Sequence, residues 1–282
     1  MKEPMNSASS PTVSAVILTL NEEETIKHAI TSLSWCDEIF VVDSESQDRT
    51  CEIAEALGAK IYKHQQEGAF LISEQRNWAL QSLPFTGEWI LFMDADEEST
   101  EEFREQVMRA ASTATCDAFY AAPAFMYYGK WLKRTSGYPN WHPRIVKANS
   151  SVKFTGGVWE DFDEPEAAGR ISAPYIHETN AKGLEDWLTK HVRYAKWESD
   201  RIRNRSASGT SKADRRGLLR AIRYRLGGLR KYAATAYLFI GRRGFLDGAE
   251  GRSYLRRMFI YELLIDEFGL EGLKRAKKGE GN

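Results

Sequence analysis

"TVSAVILTLNEEETIKHAITSLSW", Thr12–Trp35, sets a β-branched apolar run directly against an acidic stretch of a different period. Thr12–Leu20 predicts a strand buried on both faces. From Asn21 onward the spacing changes: Ile26, Ile30 and Leu33 recur as on a helix, with Glu22, Glu23 and Glu24 in the first turn, where the helix dipole favours negative charge. The same hand-over from strand to helix recurs downstream. "EIFVVD" (Glu38–Asp43) precedes "SQDRTCEIAEALG", a helix stopped by Gly58. "AKIYKH" (Ala59–His64) precedes a helix over Phe70–Ser82, and "GEWILFMDAD" (Gly87–Asp96) precedes "STEEFREQVMRAAS", where Ser99 and Glu102 form a capping-box pattern. Four alternations without an internal repeat predict an α/β fold, a mostly parallel sheet flanked by helices. Ligands of such sheets gather at the carboxyl ends of the strands, where Asn21, Asp43 and Asp94 stand.

Beyond Asp117 the pattern changes. "AFYAAPAFMYYGKWL", "WHPRIVKA" and "ISAPYIHET" read as antiparallel strands, with the Gly- and acid-rich loop "FTGGVWEDFDEPEAAG" between the last two. From Lys182 the chain reads as helical: Lys182–Asn204, Arg215–Ile240 and Gly251–Phe268, the first two joined by "SASGTSKAD". The expected organisation is a polar tail over 1–11, a catalytic domain over 12–180 and a basic helical extension over 181–282. The domain itself divides into a nucleotide-binding half, 12–116, and an acceptor half, 117–180.

The 282 residues, 42% hydrophobic and 12% aromatic, exclude a disordered chain. "MKEPMNSASS" has no apolar core of a signal peptide, and no run reaches the ~18 apolar residues of a membrane span. Three cysteines in no metal-type spacing point to a reduced, cytoplasmic chain without a zinc site or disulfide framework. The net charge of −1 conceals a division. Residues 1–200 hold 19 Lys/Arg against 32 Asp/Glu, a net of −13, whereas residues 201–257 hold 16 against 3, a net of +13. A basic segment on an acidic body suggests an anionic surface as partner. Leu218, Leu219, Ile222, Leu226, Leu229, Ala233 and Tyr237 share helical spacing within Arg215–Ile240, with arginines at other positions. That pattern suits a membrane surface, or a helix packed on the domain with a solvated basic face. Nucleic acid is not expected, because no nucleic-acid motif is present and the body is acidic.

In an extended segment residues i and i+2 share a face, so Asp94 and Asp96 can address one ligand while Ala95 turns away. The pair is either a metal site or the solvated lip of a turn. Glu97 and Glu98 read as bystanders near the helix entrance. Arg76 suits a diphosphate, or else an ion pair with Glu74. Glu160, Asp161, Asp163 and Glu164 supply carboxylates within "GGVWEDFDE". A Gly-rich phosphate loop is missing after the first strand, where "TLNEEET" stands, which argues against nucleotidyl transfer and dinucleotide binding.

"VILTLNEEETI", "VVDSESQDRT", "SEQRNWAL" and "LFMDADE", in this order, resemble the family-2 glycosyltransferases with the GT-A fold. "YPNWHPRIVK", "GVWED" and "GFLDG" extend the likeness to the subgroup that includes lipopolysaccharide-core glucosyltransferases. The resemblance covers most of the chain and implies an inverting transfer from a nucleotide-sugar, a UDP-sugar, with Mg²⁺ or Mn²⁺. The acceptor it implies is a saccharide or lipid-linked glycan, at the inner face of the cytoplasmic membrane. A membrane-docked scaffold that keeps the fold without the activity is the alternative. By resemblance, Thr19, Leu20 and Glu22 meet the nucleotide, Asp43 accepts a uracil N–H, Asp94 touches the ribose or the metal shell, and Asp96 ligates the metal. Glu160 is the expected base and Asp161 the reserve. Trp159, standing where the subgroup often has His, offers a wall for a sugar ring. Arg144 and His177 are possible contacts to phosphate or metal. His28, His64, His142 and His191 show no ligand spacing and receive no role.

Overall fold

The first strand, Val13–Thr19 (β1), is buried along nearly its whole length, as a strand covered on both faces must be. It hands over to a short helix, Ile26–Ser32 (α1), and the alternation continues through Glu38–Asp43 (β2), Thr50–Ala56 (α2), Lys60–Lys63 (β3), Ile72–Ser82 (α3) and Trp89–Asp94 (β4). The structure, a computed structural model, describes residues 10–67, 70–157, 160–208 and 227–279. After β4 come Glu97–Glu98 (β5), Glu101–Thr113 (α4), Ala118–Tyr127 (β6), Lys130–Trp131 (β7), His142–Lys147 (β8), Phe154–Thr155 (β9), Asp161–Phe162 (β10) and Gly169–Glu178 (β11). Gly183–Ser208 (α5), Arg230–Ala236 (α6) and Gly248–Gly279 (α7) follow.

Two compact units emerge: Met1–Phe125 with Pro139–Ala181, and Met126–Tyr138 with Lys182–Asn282. Among the described residues, strands of the first unit run in the order β3–β2–β1–β4–β8–β6–β11–β5. β3, β2, β1 and β4 are parallel, whereas β8 joins β4, and β6 joins β8, in antiparallel fashion. The chain thus has a mixed α/β sheet flanked by helices, with helices at its C-terminal end. The chain steps from β1 to β2 and β3 on one side and then crosses back through α3 to β4 on the other side of β1, so the carboxyl ends of β1 and β4 form the switch point of the parallel half. Leu18 stands opposite Asp94 there, and Thr19 opposite Asp43.

Strand parity sorts the core. Ala15, Ile17, Leu91 and Met93 pack on one face with Ala29, Ile30 and Phe103. Val16, Ile90 and Phe92 pack on the other with Ala79, Leu83 and Phe154. Each fully buried Leu, Ile or Phe side chain stabilises by about 1.5–3 kcal/mol. The helix α4 departs from the predicted capping box. Thr100 is the N-cap, its hydroxyl accepting from the Phe103 N–H at 3.1 Å. Ser99 is instead tied to the preceding structure: its N–H donates to Ser32 Oγ and its hydroxyl accepts from Trp35 Nε1.

In the second unit α5 and α7 share a core of Trp187, Ala195, Tyr261 and Ile265. The "GFLDG" motif clasps the segment that follows β7. Asp247 accepts from the backbone N–H groups of Arg134 and Thr135 and from the Thr135 hydroxyl, at 2.8–3.0 Å. A β-carbon at Gly244 would lie 2.5 Å from the Leu238 carbonyl oxygen, and Gly248 has φ +73°, so both positions exclude side chains. Of the helix expected over Arg215–Ile240, residues 215–226 lie outside the described residues. The remainder is not one helix: a 3₁₀ turn at Gly227–Leu229 and α6 lead into a π-turn, Tyr237–Gly241. No helix among the described residues is long and apolar enough to cross a membrane.

Candidate active site

Asp94 ends β4, and the chain turns through Ala95 and Asp96 before β5. Alternation persists through this turn: Ala95 and Glu97 are buried, while Asp94, Asp96 and Glu98 are partly exposed. Two buried arginines converge on it. Arg76, on α3, is fully buried; it donates to Asp94 Oδ1 at 3.0 Å and to the Pro143 carbonyl at 3.0 Å, and its Nε lies 3.3 Å from Glu160 Oε1. Arg144, on β8, donates to Glu97 Oε1 at 2.6 Å, to Asp94 Oδ2 at 3.2 Å and to the Tyr175 hydroxyl at 3.1 Å, with Glu160 Oε2 at 3.9 Å. On β11, His177 places Nδ1 3.4 Å from Glu97 Oε1 and Nε2 3.9 Å from Asp96 Oδ2. Residues from α3, β4, β5, β8 and β11, with Glu160 from the loop before β10, thus meet in one cluster.

The environment tunes these groups unequally. Burial pushes the Glu160 carboxyl up to about 7; Arg76 and Arg144 oppose the shift without overcoming it, and Asp94 and Glu97 add to it. Their pairing with Glu160 is ill-aligned: Glu160 Oε1, Arg76 Nε and Arg144 Nη1 are buried without a hydrogen-bond partner among the described residues. Burial disfavours charge on His177, but Asp96 and the hydrogen bond to Glu97 outweigh it and push the imidazole up to about 9. Burial would likewise raise Glu97, yet Arg144 first and His177 second hold it well below the usual carboxylate range. His142, half-buried, is driven down to about 3 by desolvation and then by Arg144, and stays neutral.

Several expectations change here. Arg76 forms neither a surface pair with Glu74 nor an open phosphate contact, because its buried guanidinium braces Asp94 and Glu160. Arg144 is spent the same way, on Glu97 and Asp94. Glu97 is no bystander: it is 1% exposed and joins Arg144, His177 and the Asp94 backbone. Asp161 turns from the cluster to accept from Tyr120 and from the Phe162 N–H. Trp159 lies outside the described residues.

At the exit of β1 the predicted donor-binding residues gather, though not with free side chains. Asp43 is fully buried and accepts from Thr19 Oγ1 at 3.0 Å and from the Ser46 N–H and hydroxyl, so its expected uracil contact is closed off in this structure. Glu22 accepts from Thr25 Oγ1, at the start of α1. Leu20 is exposed. The loops after β1 and β2 are laced together: Asn21 Oδ1 accepts from the Gln47 N–H, and the N–H groups of Asn21 and Glu22 donate to Ser46 and Thr50.

The donor chemistry suits a hard divalent cation in part. Among the described residues no three His, Cys, Asp or Glu side chains form a closed metal cage. Both Asp94 oxygens are engaged by arginines; among the described residues Asp96, and His177 once its imidazole has given up a proton, are the ones that could turn to a cation. Such a two-residue set fits Mg²⁺ or Mn²⁺ entering with a diphosphate, since Mg²⁺ typically takes one or two carboxylates and completes its shell with phosphate and water.

The model of the family described as "Glycosyl transferase family 2" matches residues 14–157, just over half of the chain. The chain belongs to glycosyl transferase family 2. Within this family it is similar to an uncharacterized glycosyltransferase of Rickettsia conorii, 36% identical over 118 residues, which are 42% of this chain and 40% of that protein. A second, from Rickettsia felis, is 39% identical over 110 residues, 39% of this chain and 37% of that one. The chain thus spans about two fifths of the length of the curated relatives it matches. Among solved structures, glucosyl-3-phosphoglycerate synthase from Mycobacterium tuberculosis in complex with Mn²⁺, UDP and glucosyl-3-phosphoglycerate is similar with a TM-score of 0.49 and 18% identity, covering 72% of this chain and 82% of that one.

Proposed function

We propose that this family-2 chain moves a glycosyl group from a nucleotide-sugar, a UDP-sugar, to a hydroxyl of a saccharide or lipid-linked glycan, with inversion at the anomeric carbon. The reading extends to cell-envelope polysaccharide or lipopolysaccharide synthesis, on the resemblance of "YPNWHPRIVK", "GVWED" and "GFLDG". One observation carries the chemistry: Glu160, a buried carboxylate raised to about 7, shares Arg76 and Arg144 with Asp94. A carboxylate poised near the working pH is what a general base requires. Glu160 takes the proton of the acceptor hydroxyl as that oxygen bonds to the anomeric carbon. The bond from that carbon to the diphosphate breaks, and the nucleoside diphosphate leaves. Asp96 and His177 would hold a divalent cation, which when bound neutralises charge on the departing diphosphate. Arg76 and Arg144 orient Asp94 and Glu160 from within the protein.

We infer an anionic membrane surface as partner of the basic segment. No acidic residue occurs between Gly227 and Leu246. Tyr232, Tyr237, Ile240, Phe245 and Leu246 are all exposed there, and Arg243 beside them. Apolar and aromatic side chains among cations suit the headgroup region. Co-sedimentation with anionic but not neutral vesicles is the expected result.

A panel of UDP- and GDP-sugars with Mg²⁺ or Mn²⁺ tests the activity. Binding with slow hydrolysis of one UDP-sugar is expected; the absence of any binding or turnover would leave the inactive scaffold. Asp96→Asn is expected to abolish metal-dependent nucleotide binding.

A further inference from the structure

We propose that Glu97 is a positioning residue that sets the orientation of His177 and the shape of the Asp94–Glu97 turn. The inference rests on the cation reading above for its functional consequence, and on geometry alone for its structural part. β5 is only two residues long and lies antiparallel to β11, with Glu97 directly opposite His177 and Glu98 opposite Ile176. Side chains directly opposite across such a ladder are in reach of each other. Glu97 uses both oxygens. Oε2 accepts from the Asp94 N–H at 2.8 Å, which closes the turn that carries Asp96. Oε1 accepts from Arg144 Nη2 at 2.6 Å and faces His177 Nδ1 at 3.4 Å.

That last contact decides which edge of the imidazole looks outward. With Nδ1–H facing Glu97, Nε2 is the atom presented toward Asp96, 3.9 Å from Oδ2, and becomes a donor to a cation when the cation displaces its proton. A half-turn of the ring would put a carbon in place of each nitrogen. It would forfeit the Glu97 contact and leave no nitrogen donor beside Asp96. A carboxylate behind a histidine is the usual device for fixing a metal ligand's ring, and its loss typically lowers metal affinity 10–100-fold. Arg144 fixes Glu97 in turn: at 1% exposure the carboxylate has no water to turn toward, and its charge is matched by a guanidinium that is itself 2% exposed. The chain of support therefore runs from Arg144 through Glu97 to His177 and to the backbone of Asp94.

The test uses the full chain, ¹⁵N-labelled, with Glu97→Gln as the main variant and Glu97→Ala as the second. In the wild type, the His177 Nδ1–H and the Asp94 amide are expected as hydrogen-bonded, exchange-protected resonances, with or without nucleotide. Glu97→Gln should shift both and Glu97→Ala should abolish their protection. Unchanged resonances in a folded variant would overturn the proposal. Calorimetric titration of Mn²⁺ in the presence of UDP supplies the second reading. Glu97→Gln should weaken Mn²⁺ about 10–100-fold, whereas in a His177→Ala background the same change should cost little more, because Glu97 acts through that ligand. Full additivity of the two losses, or undiminished affinity in Glu97→Gln, would overturn the role toward the cation. A wild type that binds no Mn²⁺ with UDP would count against the glycosyl-transfer reading, while the resonances would still decide the role of Glu97. If Glu97→Ala does not fold, Glu97→Gln keeps both readings.

Discussion

In the second unit, Arg230 meets Glu262 at 2.6 Å and Asp266 at 3.3 Å, and Lys231 reaches Asp266 at 3.0 Å. In the first unit, Arg76 and Arg144 meet Asp94, Glu97 and Glu160, and His177 adds Asp96. Both are largely buried ion networks in which arginine meets Asp and Glu, with Lys231 added in one and His177 in the other. Among the described residues the first-mentioned pairs two cations with two carboxylates and ties α6 to α7. The other has three cations for four carboxylates. Its surplus appears where the pairing is poorest, on Glu160, raised to about 7. The Arg230 network acts as a staple by close opposite charge, Arg230 Nε and Glu262 Oε2 standing 2.6 Å apart although not aligned as a hydrogen bond. An unbalanced one holds a carboxylate near its protonation point, ready to take a proton.

The contrast can be broken most forcefully at Glu160. Glu160→Gln should lower kcat by about 10²–10⁴-fold, the usual share of a general base, with thermal stability undiminished because a poorly paired buried carboxylate is removed. A variant with wild-type kcat would strip Glu160 of its role. Next in size are the arginines. Arg144→Met leaves Glu97 buried beside a single imidazole and should cost about 3–5 kcal/mol in denaturant unfolding. Arg230→Met should cost a similar amount through Glu262. The two should part company in function: among molecules still folded, only Arg144→Met should impair Mn²⁺·UDP binding.

The pH dependence sharpens the same comparison. A folded-state pKa above the unfolded value gives stability that is present at low pH and lost as the folded group ionises. Glu160 should therefore subtract up to about 3 kcal/mol of stability between pH 4.5 and about 7. Glu160→Gln should flatten that slope in urea titrations at fixed pH. His177, raised from 6.5 to about 9, follows the same sign and loses its contribution as pH rises through about 9. The catalytic counterpart is a kcat/KM that climbs through pH 7 with roughly tenfold gain per unit below it. The smallest effect lies away from both networks: Thr100→Ala should cost about 1 kcal/mol by removing the α4 cap, whereas Ser99→Ala should leave the helix start intact.

Much of the parallel half was legible because strand and helix periods are local properties of the chain. β1, β2 and β4 lie where apolar runs predict them, and Asp43 and Asp94 end their strands. The site was legible in position more than in partnership. Asp94, Asp96, Arg76, Arg144, Glu160 and His177 do converge, but that Arg76 and Arg144 would be spent on carboxylates depends on contacts between residues 16 to 84 positions apart. Glu97 is the instructive miss. The alternation that puts Asp94 and Asp96 on one face puts Ala95 and Glu97 on the other, the buried one. Carried one residue further, that parity marks Glu97 as a carboxylate that must find a buried cation.

By itself the sequence determined the family, the βα order and the residues that stand at the strand ends, since periodicity, turn chemistry and motif order are written along the chain. The tertiary structure alone decided which charges are paired. Burial strengthens and selects ionic contacts only after distant segments have excluded water around them, and no local pattern shows which guanidinium will be left facing which carboxylate.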